Sequence, residues 1–144
     1  MGECQVKVGM QVNGQDVMMV GLAIEHTTED QLIWEGEDGY VAFYQCELPY
    51  DVDQLLYADK SFVGYRVGLN VKSHTAMGLG VYSNFRDFDV KVATAIYHPD
   101  SVRITMKNIF TVYLDNRGKI STVVDGKGPG PIKQGLSKFR NDTK

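Results

Sequence analysis

Two stretches decide the fold of this chain: Gly21-Leu-Ala-Ile-Glu-His-Thr-Thr-Glu-Asp-Gln-Leu-Ile-Trp34 and Tyr40-Val-Ala-Phe-Tyr-Gln-Cys-Glu-Leu-Pro-Tyr-Asp51. Each contains an apolar run typical of a β-strand, and each run closes on a carboxylate, Glu25 or Glu47. Pro49 ends the second run, because proline has no amide hydrogen to donate to a sheet. We therefore predict two strands that each carry a carboxylate at their carboxyl end.

The rest of the chain continues this pattern of short strands, with little helix. The predicted strands cover residues 17–24, 31–34, 40–48, 62–71, 77–82, 90–97, 102–106, 110–114 and 120–124. Residues 35–39 are predicted to turn, and residues 52–59 to be irregular or one helical turn. Strands that recur about every 10 residues suit a sandwich, a barrel or a β-solenoid, and loose repeats of about 20–25 residues favour the solenoid without deciding for it. The predicted fold class is all-β.

Composition excludes several kinds of protein. A chain of 144 residues normally forms one domain, and its net charge of −3 does not provide the basic surface of a nucleic-acid-binding protein. No apolar run reaches the length of a membrane span, and the N-terminal residues lack the apolar region of a signal peptide. Residues 129–144 are rich in glycine, proline and charge, so we predict a tail that follows a domain of residues 1–128.

The cysteines and histidines do not indicate a cofactor. Cys4 and Cys46 are too few to make a disulfide framework, and the sequence leaves open whether they pair. Cys46 lies between two polar residues of a strand, so it is expected to pack inward. The three histidines, His26, His74 and His98, lack the clustered spacing of a zinc site. We expect neither a metal nor another cofactor.

Glu25 and Glu47 are the residues whose chemistry is most specific. Two carboxylates on a β scaffold beside aromatic and amide side chains are what cleavage of a glycosidic bond requires. The alternative is that both are ordinary solvent-facing residues at strand ends. They are 22 positions apart, and if that spacing is one solenoid coil, their backbones stack about 4.8 Å apart.

Three phrases in this order favour the catalytic interpretation: Gly-Leu-Ala-Ile-Glu-His at 21–26, Phe-Tyr-Gln-Cys-Glu-Leu-Pro-Tyr-Asp at 43–51 and Gly-Leu-Gly-Val-Tyr-Ser at 78–83. Together they resemble the C-terminal half of family 55 glycoside hydrolases, the exo-β-1,3-glucanases or laminarinases. The resemblance spans about residues 17–128. It implies a right-handed parallel β-helix, with a pectin-lyase-like fold, that helps release glucose from laminarin-type β-1,3-glucan with inversion at the anomeric carbon.

The resemblance also implies roles for individual residues. It makes Glu47 the general acid and gives Glu25 the task of holding the attacking water. The residues around them are then expected to bind substrate: Trp34, Tyr44 and Tyr50 by stacking on sugar rings, Gln45 by orienting the acid or a hydroxyl, His26 as a neighbour of Glu25, and Tyr82 at the rim of the site.

The family's enzymes are built of two tandem β-helical halves, and nothing in this sequence resembles the first half. We therefore expect a missing N-terminal β-helical half as a partner, beside a β-1,3-glucan substrate. The alternative is a non-catalytic carbohydrate-binding or structural β-helix module. The resemblance points to an extracellular location, although no signal peptide is visible.

Overall fold

The computed structural model describes residues 5–115 and 117–127, together with the backbone of 132–133. These residues form eleven β-strands and one short 3₁₀ turn at Ala58–Lys60. The strands are β1 (Met10–Val12), β2 (Met18–Glu25), β3 (Leu32–Trp34), β4 (Gly39–Glu47), β5 (Tyr65–Val67), β6 (Ser73–Ser83), β7 (Lys91–Tyr97), β8 (Arg103–Lys107), β9 (Phe110–Tyr113), β10 (Lys119–Val124) and β11 (Ile132–Lys133). No helix in the described part of the chain is long and apolar enough to cross a membrane.

The strands form two sheets, and along most of the chain successive strands alternate between them. One sheet has the order β1-β3-β5-β7-β10, and the other has the order β11-β9-β6-β4-β2, with β8 also paired to β6. Every pairing between these strands is parallel. Parallel neighbours place their carboxyl ends at the same edge of a sheet, so residues that close successive strands lie side by side.

The core lies between the two sheets and is filled by their inward side chains. Trp34 of β3 lies with its ring 4.9 Å from His74 of β6, measured between centroids. Tyr44 of β4 lies 5.2 Å from Tyr65 of β5 and donates a hydrogen bond of 2.8 Å to the carbonyl oxygen of Gly64. All four side chains are buried. These contacts join strands of different sheets, so they stabilise the packing of one sheet on the other.

A line of left-handed residues crosses the second sheet. Gly21, Phe43, Gly78 and Asn108 have φ values of 72°, 61°, 69° and 53°, and the register places them at the same level on neighbouring strands. A left-handed residue within a strand breaks the alternation, so the side chains after it face the opposite side from the one that strict alternation predicts. In β4 the buried positions are accordingly odd-numbered before Phe43 and even-numbered after it.

The all-β prediction is confirmed, and most predicted strands are present. The strand predicted over 62–71 is reduced to Tyr65–Val67 at its centre, because the Val63 amide donates to the Asp30 carboxylate and the Val71 amide closes a turn on Gly68. The strand predicted over 77–82 is longer and begins at Ser73.

The predicted helical turn is the 3₁₀ turn at Ala58–Lys60. Most of the predicted tail, and Cys4, lie outside the described residues. β11, however, comes from the predicted tail and pairs in parallel with β9.

Candidate active site

Three adjacent strands of the second sheet, β2, β4 and β6, have their carboxyl ends side by side. The register pairs Glu25 of β2 with Glu47 of β4, and Glu47 with Tyr82 of β6. Main-chain hydrogen bonds continue just past these ends, from the His26 amide to the Glu47 carbonyl at 3.0 Å and from the Leu48 amide to the Tyr82 carbonyl at 2.9 Å. The three side chains therefore start from backbone positions that the sheet itself holds in place.

The reversal at Phe43 decides that Glu47 faces outward. After Phe43, Tyr44 and Cys46 are buried, whereas Gln45 is exposed and Glu47 is half-buried. Gln45 and Glu47 thus share the outer face, which the sequence predicts from their spacing of two. Without the left-handed conformation of Phe43, strict alternation from the buried Val41 would direct Glu47 into the core.

Cys46 belongs to the core and not to the chemistry of the site. It is a free thiol with no exposed surface. Burial raises the pKa of the Cys46 thiol, so the reactive thiolate is disfavoured at neutral pH. The inward packing predicted for this residue is confirmed, and Cys4 lies outside the described residues.

His26 follows directly after Glu25 and turns back toward the carboxylates. Its φ of 60° is left-handed, and the loop behind it is closed by the buried Gln31 side chain, which bonds both the amide and the carbonyl of Thr27. The His26 Nε2 atom lies 4.0 Å from Glu25 Oε2. The His26 ring also meets the ring of Tyr50 edge-on, with centroids 4.3 Å apart. His26 is therefore placed between a carboxylate and an aromatic ring.

Tyr50 is bonded directly to the predicted general acid. Its hydroxyl donates a 2.7 Å hydrogen bond to Glu47 Oε1. Partial burial raises the pKa of Tyr50, the hydrogen bond and charge of Glu47 raise it further, and Asn84 and Arg86 oppose the rise. The phenol is therefore protonated at neutral pH and acts as a donor toward the Glu47 carboxylate.

The two carboxylates and the imidazole form a close cluster. One ligand atom each from Glu25, His26 and Glu47 lies within 4.8 Å of the others. These atoms are close enough together to bind a cation, but exposed acidic groups often cluster without one. The absence of a metal therefore stays a prediction. For hydrolysis the same distance matters, because it shows that both carboxylates face one small region of the surface.

The structure places six of the eight predicted site residues at or beside the carboxylate cluster and the other two in the core. Those near the cluster, or on the outer face beside it, are Glu25, His26, Gln45, Glu47, Tyr50 and Tyr82. Trp34 has no exposed surface and Tyr44 only 2%. The sugar-stacking role predicted for Trp34 and Tyr44 is wrong, because a ring packed in the core between two sheets cannot contact a ligand.

The sequence prediction missed the loop that follows β6. Arg86 lies in this loop with its guanidinium carbon 4.4 Å from the centre of the Tyr50 ring, and its Nη1 atom lies 3.8 Å from Asp51 Oδ1. Asn84 also reaches the Tyr50 hydroxyl. One signal was available, since a loop that leaves the strand next to Glu47 must begin beside the carboxylates.

Comparison with known proteins identifies relatives of this arrangement. Residues 3–47 match the LAM55 pectate lyase-like domain. The chain is 29% identical over 125 residues to an exo-β-1,3-glucanase from Streptomyces sp. (strain SirexAA-E / ActE), a match that covers 83% of this chain and 21% of that enzyme.

Two solved structures have the same fold. The structure of sacteLam55A from Streptomyces sp. SirexAA-E superposes with a TM-score of 0.84 at 25% identity, covering 96% of this chain and 25% of that one. A variant of sacteLam55A in complex with glucose gives a TM-score of 0.87 at 24% identity, covering 94% and 25%. The resemblance to family 55 glycoside hydrolases is confirmed, and this chain spans about a quarter or less of the length of these relatives.

Proposed function

We propose that this chain supplies the carboxylates of an exo-β-1,3-glucanase that releases glucose from laminarin-type β-1,3-glucan. The observation that carries the proposal is the alignment of Glu25 and Glu47 on neighbouring strands, with Tyr50 bonded to Glu47. A relative is an exo-β-1,3-glucanase, and a variant of a structural neighbour was solved with glucose. A non-catalytic module is not favoured, because the chain keeps both carboxylates close together on its surface.

The finer architecture is part of the same proposal. The two parallel sheets are two faces of a right-handed β-helix. The domain boundary at residue 128 stays a prediction, and β11 extends the second sheet beyond it. Strands that alternate between two sheets support the β-helix, because a coil that visits each sheet once per turn produces that order. A second β-helical half, in the same or another polypeptide, completes the substrate groove. The length of the relatives supports that half.

In the proposed reaction, Glu47 protonates the glycosidic oxygen as the bond to the terminal glucose breaks. The Tyr50 hydroxyl occupies Oε1 of Glu47, so Oε2 is the oxygen that carries the proton to the leaving group. Glu25 orients the water that attacks the anomeric carbon and accepts the proton that this water loses, with His26 beside it. Gln45 and Tyr82, on the outer face and at the edge of the row, contact the sugar hydroxyls.

The carboxylate separation restricts how inversion can occur. Inverting pairs usually lie about 6.5–9.5 Å apart, which leaves room for a water on the far side of the sugar. One oxygen of Glu25 lies within 4.8 Å of one oxygen of Glu47. This short oxygen–oxygen distance supports a water site that groups of the second half complete.

A glucose-release assay on laminarin tests the proposal, with the chain alone and with a candidate N-terminal half added. Glu47→Gln should keep the fold and lower turnover by about 10²- to 10⁴-fold, the usual contribution of a general acid. An activated aryl glucoside should be much less affected, because its leaving group needs no proton. Asp89→Asn, at an exposed loop position, is the matched control. Wild-type turnover of laminarin by Glu47→Gln would show that the acid assignment is wrong.

The stereochemistry of the product tests the inverting step separately. Proton NMR of the first glucose released should show the α-anomer, because inversion of a β-linkage produces it. β-Glucose as the first product would instead make Glu25 a nucleophile, in keeping with its short distance from Glu47.

A further inference from the structure

Arg86 holds an unusual position for an exposed arginine. It has a left-handed φ of 49° in the loop after β6, and its side chain turns back over Tyr50 instead of extending into solvent. The guanidinium carbon lies 4.4 Å from the ring centroid, well within the range of a cation–π contact. Asp51 Oδ1 lies 3.8 Å from Nη1 and supports the same orientation.

Tyr50 links this cation to Glu47. Four groups contact Tyr50: the guanidinium of Arg86 on its ring face, the imidazole of His26 edge-on at 4.3 Å, and the Glu47 carboxylate and the Asn84 side chain at its hydroxyl. Of these, only Arg86 carries a permanent positive charge. A cation on the ring face withdraws charge from the phenol, which makes its hydroxyl a stronger donor toward a carboxylate.

We propose that Arg86 is a positioning residue that acts on Glu47 through Tyr50. It holds the phenol so that the hydroxyl stays on Oε1, which keeps Oε2 directed at the leaving oxygen. The catalytic meaning of this role rests on the proposed hydrolase function. The contact itself does not, because it is built from residues of this chain alone.

A direct sugar-binding role for Arg86 is the competing explanation, and the two differ in what they predict. A group that binds sugar contributes to substrate affinity, so its loss raises KM. A group that orients the acid contributes in the transition state, so its loss lowers kcat at unchanged KM. It also matters most for substrates whose leaving group needs a proton.

The first arm of the test measures the pKa of the Tyr50 phenol and needs no assay of activity. Carbon-13 NMR with labelled tyrosine follows the phenol titration, and Tyr50→Phe assigns the signal. Since the Arg86 charge lowers the pKa of Tyr50, Arg86→Met should raise it, and Arg86→Lys should restore it in part. Arg103→Met is the matched control, because Arg103 is exposed at the opposite end of the same sheet. If the pKa of Tyr50 is the same in Arg86→Met as in the wild type, the proposal is overturned.

The second arm measures hydrolysis under the conditions in which the wild type releases glucose. Arg86→Met should lower kcat on laminarin about twofold to fivefold with KM unchanged, as expected for loss of an exposed cation–π contact that acts on the transition state. Arg86→Lys should recover most of the rate, and an activated aryl glucoside should show little change. A raised KM, or an equal loss on both substrates, would overturn the positioning role.

The two arms separate failure of this proposal from failure of the proposed function. A wild type that releases no glucose with any partner half would remove the hydrolase function, and the catalytic role of Arg86 with it. The titration of Tyr50 would still show whether Arg86 affects the pKa of the phenol. An active wild type with an Arg86→Met variant of unchanged kcat would instead keep the hydrolase and remove Arg86 from its mechanism.

Discussion

Acidification should destabilise this chain through His74. The side chain is 1% exposed, its Nε2 lies 2.7 Å from the Tyr65 hydroxyl, and among the described residues its Nδ1 has no hydrogen-bond partner. Burial, and to a smaller extent the charge of His98, lowers the pKa of His74 from 6.5 to about 4. The folded chain therefore keeps this imidazole neutral at pH values where the unfolded chain has already protonated it.

The sign and size of the effect follow from that difference. Above pH 6.5 neither state binds the proton, and the neutral imidazole contributes its full stability. As the pH falls from 6.5 toward 4, only the unfolded state gains the proton, so stability is lost. The gap between 6.5 and about 4 corresponds to a loss of about 3 kcal/mol by pH 4.

Urea unfolding of the wild type and of His74→Gln at a series of pH values measures this loss. Glutamine keeps an acceptor for the Tyr65 hydroxyl but does not titrate, so the variant should lose about 3 kcal/mol less between pH 7 and pH 4. His26→Gln, at an exposed position, should follow the wild-type curve. Parallel curves for the wild type and His74→Gln would show that the buried imidazole does not control the acid response.

Two further predictions concern the backbone. Phe43→Gly should keep the fold and raise the free energy of unfolding by up to about 1 kcal/mol, because Phe43 is 70% exposed and strained at a φ of 61°. A clear loss of stability in thermal unfolding would contradict this and show that the Phe43 ring makes stabilising contacts. Gly36→Ala should lower the melting temperature strongly, because its Cβ would lie 1.8 Å from the Gly14 carbonyl oxygen. Gly126→Ala should lower the melting temperature less, because Gly126 has a left-handed φ of 70° but its Cβ would meet nothing within 4 Å.

Local pattern was sufficient for the strands and for part of the site. Period-two alternation and turn residues depend only on neighbours in sequence, so β2, β4 and β7 could be predicted closely. The same alternation places Gln45 with Glu47 and Tyr44 on the opposite face. Once Glu47 is taken to face outward, this alternation predicts a buried Tyr44, and the stacking role overlooked that consequence.

By itself, the sequence determined that the chain is all-β, that two strands close on Glu25 and Glu47, and that the motifs resemble family 55 glycoside hydrolases. Only the tertiary structure decided that Glu47 faces outward, since a left-handed Phe43 in line with two glycines reverses the alternation. It also decided that Arg86 lies on Tyr50, 36 positions earlier in the chain. Such contacts depend on strand register and loop conformation, which the packing of the whole core sets, whereas a sequence pattern reports only the preferences of adjacent residues.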